Sequence, residues 1–170
     1  MFFPDSFKVT TPSDREILIT RDFDADKALV FAAFTRPDLV RRWLLGPPGW
    51  TMPLCEIDLR VGGAYRYVWR FEEDGSEMGI GGIFQEIVIN ERLVVSEKFD
   101  TPWYPGQAIN TTEFRDLNGT TRATITILYE SNEARDQARR SGMEQGMAAG
   151  YSRLEALLPL IARENPGESK

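Results

Sequence analysis

Cys55-Glu56-Ile57-Asp58-Leu59-Arg60-Val61-Gly62-Gly63-Ala64-Tyr65-Arg66-Tyr67-Val68-Trp69-Arg70-Phe71 is the stretch that decides the fold. On either side of Gly62-Gly63 the chain changes character every second residue, the period of a strand and not of a helix. Tyr65, Tyr67, Trp69 and Phe71 therefore share one face, which is wholly aromatic. The glycine pair joins two segments of strand period and opens no helix. It is a turn between antiparallel strands, and the anion-binding geometry of a phosphate loop is missing. A sheet of this kind buries one face only, so the aromatic face needs a cover.

The same period continues outward. Strands are predicted at residues 51–60, 64–72, 77–89, 92–100, 107–117 and 121–130, with turn chemistry at Asp74-Gly75, Asn90-Glu91 and Asn118-Gly119. Gly79, Gly81 and Gly82 within one strand predict a bulge or bend, which a strongly curved sheet requires. Upstream, Arg15–Phe23 reads as a first strand. Asp24 is the expected N-cap of a short helix over Ala25–Phe34, and Pro37 opens a second one that reaches Trp43. Downstream, Ser131 caps a helix predicted to run unbroken from about Asn132 to Ile161. Its apolar face is Ala138, Met143, Met147, Tyr151, Leu154, Leu158 and Ile161, and Pro159 kinks or ends it. The expectation is an α+β domain over residues 15–163, a curved antiparallel β-sheet wrapped around a long C-terminal helix, with two short helices after strand 1. Residues 1–14 read as a loose leader and 164–170 as a polar tail.

Composition removes whole classes of function. The net charge of −6 leaves no excess of Lys and Arg to neutralise phosphates, so neither a nucleic-acid partner nor an anionic membrane surface is expected. There is no histidine and one cysteine, which excludes His-based triads, imidazole–zinc sites and a tetrathiolate cluster. No metal and no cofactor is expected. Without a disulfide, a signal-peptide pattern or a spanning apolar run, the reading is a cytoplasmic protein.

The order of elements resembles the SRPBCC superfamily (START-like, birch-pollen-allergen-like), whose shape is the helix-grip fold. Within it the residues are similar to the branch related to the C-terminal domain of the activator of heat-shock protein 90 ATPase. The stretches that carry this are Ile19–Ala25, Phe31–Trp43 with Pro37 and Arg42-Trp43, Cys55–Tyr67, Glu91-Arg92-Leu93-Val94, Asn118–Arg122 and Gly142–Gly146. Asp58–Tyr67 is the most specific of them. Leu44 and Leu45 depart from the pattern, since relatives often continue there with an aromatic residue and glycine. The resemblance implies a hydrophobic small-molecule ligand, a cyclisation, or contact with a chaperone, and it brings no catalytic motif.

Candidate site residues follow from alternation on the sheet and spacing on the helix. A ligand cavity is expected from Tyr65, Tyr67, Trp69, Glu97, Phe99, Asn110, Thr112, Phe114, Met143, Gly146, Met147, Gly150 and Tyr151. Glu97, Asn110 and Thr112 are polar in inward registers, so each needs a partner, and Arg66 or Arg70 is the candidate for Glu97. Glu97 is the carboxylate expected to titrate high. Trp43, Trp50 and Trp103, with Tyr104, flank loops and read as an entrance. Plain core packing of the rings is the competing reading.

No residue is assigned as catalytic. The leading reading is a protein that binds a small apolar or amphipathic molecule. The alternatives are a cofactor-free cyclase or dehydratase using Glu97 or Tyr67 as acid or base, and a chaperone-activator-like interaction module. A protein partner or a second copy of the chain stays open.

Overall fold

The computed structural model describes residues 6–102 and 104–164. Eight strands form one antiparallel sheet in the order β1-β2-β8-β7-β6-β5-β4-β3. They are β1 (Lys8–Thr10), β2 (Glu16–Phe23), β3 (Trp50–Ile57), β4 (Ala64–Phe71), β5 (Glu77–Val88), β6 (Arg92–Phe99), β7 (Ala108–Asp116) and β8 (Thr121–Leu128). The helices are α1 (Lys27–Thr35), α2 (Pro37–Trp43), α3 (Asn132–Arg140) and α4 (Met143–Glu164). Helices α1 and α2 carry the chain from β2 to β3 at the far edge of the sheet, and the β3–β8 meander then returns to pair β8 with β2. Pro53 lies in edge strand β3, at a register shift between Thr51 and Leu54, where a missing N–H costs no ladder bond. This is the α+β helix-grip architecture expected from the sequence.

Four local expectations are corrected. The leader is not loose at Lys8–Thr10, which pairs with Leu18–Thr20 of β2. A three-residue strand carries too little pattern to be read beforehand. The N-cap of α1 is Asp26, whose carboxylate accepts the Leu29 N–H at 2.9 Å. The C-terminal helix is two helices. Ser131 caps α3 as expected, accepting the Ala134 N–H at 3.0 Å. The run stops at Gly142, which sits at φ +85° in the left-handed region that ends helices. Pro159, finally, lies inside α4 without ending it.

Gly82 fixes the path of β5. A Cβ there would lie 1.8 Å from the Ser96 carbonyl oxygen, so only glycine lets β5 and β6 approach. Beside it the Ser96 hydroxyl accepts the Ile83 N–H at 2.9 Å, and the register shifts between Phe84 and Glu86. The expected irregularity of β5 thus lies just past the glycines, which keep a regular register with β4.

The core is unevenly filled. Ile17, Ile19 and Phe23 of β2 and Ala123, Ile125 and Ile127 of β8 are buried, as are Leu154, Leu158 and Ile161 on the second half of α4. Fully burying one such side chain contributes about 1.5–3 kcal/mol. The first half of α4 offers Met143, Gly146 and Met147 instead, and there the helix stands off the sheet and leaves a cavity.

Candidate functional site

The cavity has a volume of about 480 Å³, within the size range of small-molecule sites. Its floor is the concave face of β4–β8 and its roof is the first turns of α4. Trp43, the Leu44–Pro47 loop and Trp50 close one side. The loop is pinned by Arg153 of α4, which donates to the carbonyl oxygens of Trp43 at 2.9 Å and Gly46 at 3.1 Å. From β4, Trp69 donates its indole N–H to the Leu44 oxygen at 2.7 Å.

Most of the expected cavity residues come together. Tyr65, Tyr67, Trp69, Glu97, Phe99, Asn110, Thr112, Met143, Gly146, Met147 and Tyr151 all line the space. Two do not. Phe114 is 3 % exposed and packs edge-on against Phe31 and Phe34, with centroids 5.4 and 5.3 Å apart. Alternation places it on the correct face, but α1 covers that end of the strand. Gly150 packs on Trp43, whose carbonyl oxygen would lie 3.4 Å from an added Cβ.

The entrance is corrected in part. Trp43 is a buried wall at 2 % exposure, its indole N–H donating to the Ala33 oxygen at 2.9 Å. Trp50 is half-buried at the margin, its ring tilted against Phe71 with centroids 5.2 Å apart, and Phe71 is itself outside the cavity. Trp103 lies outside the described residues.

Among the described residues of the lining, Glu97 is the single Asp, Glu, Lys or Arg. The arginines proposed for it are engaged elsewhere, Arg66 with Asp100 at 2.5 Å and Arg70 with Glu77 at 2.7 Å. Its partner is instead Asn110, whose amide N–H donates to Glu97 at 3.0 Å, while the Thr112 hydroxyl donates to the Asn110 oxygen at 3.1 Å. Diagonal placement across the β6–β7 ladder, where Val95 faces Asn110 and Leu93 faces Thr112, builds this relay. Burial raises the Glu97 carboxyl above its ordinary value, and the Asn110 hydrogen bond only partly opposes this.

All five tyrosines of the chain line the cavity. Burial raises every one of their phenols, and the Glu97 charge adds to the effect. Tyr65 donates to the Ser96 oxygen at 2.9 Å, and Tyr129 stands 3.8 Å from the Met143 sulfur. Among the described residues the buried Tyr104 hydroxyl has no hydrogen-bond partner. Its ring stands edge-on to Tyr129 at 4.9 Å. The sequence marks Tyr104 only as flanking a loop, because residues outside the strand period have no predictable face. Cys55 lies behind this wall, its thiol pushed up to about 11 by burial, and it offers no nucleophile.

A family described as Activator of Hsp90 ATPase homolog 1-like protein matches residues 24–159. Among solved structures, a protein from Rhodobacter sphaeroides is 28 % identical, with 91 % of this chain and 99 % of that one covered and a TM-score of 0.85. A protein from Arthrobacter aurescens is 27 % identical, covering 89 % and 91 %, with a TM-score of 0.78. An AHSA1-like protein from Aeromonas hydrophila shares the fold at 18 % identity, 83 % and 94 % coverage and a TM-score of 0.65. No curated protein matches the chain.

Proposed function

Because the chain belongs to the Activator of Hsp90 ATPase homolog 1-like family, we propose that it binds a small apolar or amphipathic molecule in the cavity between its sheet and α4. The observation that carries this is the lining: rings and aliphatic side chains around one polar relay, Glu97–Asn110–Thr112, on rigid strands. A few placed polar groups in an apolar concavity are the usual make-up of a ligand site. The polar groups orient the molecule, and its burial supplies affinity in proportion to the apolar area removed from water.

The test joins two measurements. Native mass spectrometry of protein purified gently from its own host should show an adduct of small-molecule mass. Titration with lipophilic probes should change tryptophan emission saturably through Trp43, Trp50 and Trp69, which line the cavity. Absence of both the adduct and any saturable change would remove the reading.

A second reading rests on the surface. Leu59 and Val61 in the β3–β4 turn and Ile83 on β5 are exposed apolar residues at one end of the sheet. They support a protein contact of the kind the family's description names for the Hsp90 activator. Replacing Val61 and Ile83 by serine should abolish such a contact and leave probe binding in the cavity unchanged.

A further inference from the structure

We propose that the molecule held in the cavity carries one protonated amine on an otherwise apolar body, with its ammonium seated against the Glu97 carboxylate and the Tyr104 hydroxyl as a further acceptor. This rests on the cavity being a ligand site and names the chemistry of its ligand.

The wall argues for it in three ways. First, Glu97 is acidic and no Lys or Arg is among the described residues that line the cavity, so a carboxylate there has no cation until a ligand brings one. Second, the relay has a direction. Thr112 donates to Asn110 and Asn110 donates to Glu97, so both bonds point at the carboxyl and hold one of its oxygens as an acceptor. Among the described residues no other side chain donates to Glu97, and the Tyr104 hydroxyl is buried without a partner. Third, Tyr65 and Tyr67 stand close enough to feel the Glu97 charge, Trp69 and Phe99 line the same cavity, and aromatic faces attract a desolvated ammonium. An anionic head such as a fatty-acid carboxylate brings a second acid beside Glu97 and meets no Lys or Arg among the described lining residues.

Binding is then linked to a proton. Burial raises the Glu97 carboxyl above its ordinary value while the cavity is empty. Seating the ammonium favours the ionised form of Glu97, so the fraction present as Glu97–COOH gives its H⁺ to solvent as the ion pair with R–NH₃⁺ forms. The other titratable groups facing Glu97 are Tyr65 and Tyr67 on β4, Tyr104 before β7, Tyr129 after β8 and Tyr151 on α4. All their phenols are raised, as is the Cys55 thiol behind Tyr67, so Glu97 is the group of this set that titrates as the amine binds.

The test uses three probes of one shape in calorimetric titrations: 1-naphthylmethylamine, 1-naphthylmethanol and 1-naphthoic acid. The amine should bind about tenfold or more tighter than the alcohol, a charge-assisted hydrogen bond in a dry site being worth at least that. The acid should bind most weakly. Buffers of different ionisation heat should show proton release, of at most one proton, with the amine alone. Glu97→Gln should erase the amine's advantage and the proton release while leaving the alcohol within about threefold, which also shows that the variant folds. Alcohol or acid binding as tight as the amine, or an amine advantage that survives Glu97→Gln, would overturn the head-group assignment and leave the ligand cavity standing. No saturable binding of any of the three would sink both.

Discussion

Arg21 of β2 and Glu155 of α4 meet at 3.4 Å, and both are almost wholly cut off from water. The pair bolts the well-packed half of α4 to the sheet. Arg21 also donates to the Asp22 oxygen at 2.6 Å and stands 5.1 Å above the Phe23 ring, while Glu155 accepts the Asp24 N–H at 3.4 Å. Burying two charges costs nearly as much as their attraction returns, so the pair contributes little net stability but is costly to break. Arg21→Met should destabilise by about 3–5 kcal/mol in urea unfolding, since it strands Glu155. Arg21→Met combined with Glu155→Leu should cost much less than the two single changes summed. Additive losses would show that the two side chains act independently.

Glu97 and Glu155 give the pH profile an unusual sign. Burial raises both carboxyls in the folded chain. A raised acid favours the folded state while protonated, so its contribution is complete below the ordinary glutamate value. It is lost as pH rises through the folded value. Asp74, Asp100 and Glu164 are lowered by hydrogen bonds and act in the opposite sense, losing their contribution as pH falls. Glu97→Gln keeps an oxygen to accept from Asn110 and cannot ionise. Its melting temperature should exceed that of the wild type at pH 7–8, with the gap closing toward pH 4. A gap that is constant over that range would show that Glu97 does not titrate in it.

The tyrosines give a second pH readout. An ordinary phenol ionises at about pH 10. All five here are raised by burial beside Glu97, Tyr65, Tyr129 and Tyr151 among them. Absorbance at the tyrosinate band should therefore stay near zero past the ordinary range and then rise in one step with the loss of circular dichroism. A partial rise that precedes unfolding would mean that water enters the cavity freely.

Much of this architecture was legible because its signals are local. Period two and the turn pairs Gly62-Gly63 and Asn118-Gly119 give each strand and its neighbour without reference to the rest of the chain. The break at Gly142 was obscured because the apolar spacing from Ala138 to Met143 and Met147 continues across it. Arg139-Arg140 followed by Ser141-Gly142 is nevertheless a helix-end signature, with basic residues in the last turn and then glycine. The division of one sheet face into cavity and core was not legible. Asn110 and Thr112 face open space while Phe114, next in the same register, is covered by α1. What covers a strand is decided by a helix distant in sequence. The Arg21–Glu155 pair was missed for the same reason, its members lying on elements whose contact no local pattern reports.

The glycines of α4 turn that division into an experiment. Glycine in a helix interior costs about 1 kcal/mol against alanine, so Gly146 and Gly150 each need a reason. The sequence assigns both to the cavity, but the structure separates them. A Cβ at Gly146 would meet Pro47 Cδ at 3.8 Å and Gly46 Cα at 3.9 Å, ordinary contact distances beside the cavity. A Cβ at Gly150 would meet the Trp43 carbonyl oxygen at 3.4 Å and its ring at 3.8 and 4.0 Å, with a backbone atom nearest. Gly146→Ala should therefore stabilise by up to about 1 kcal/mol, through helix propensity and a less flexible unfolded chain. Gly146→Leu has a branched end that must displace Pro47 or enter the cavity, so it should weaken binding of the naphthyl probes more than it lowers the melting temperature. Gly150→Leu should overpack against Trp43 and destabilise by about 1–3 kcal/mol. If Gly146→Leu instead melts as low as Gly150→Leu while the probes still bind, α4 presses on the Gly46–Pro47 loop as closely as it does on Trp43. The space that admits a ligand must then lie deeper, toward Glu97.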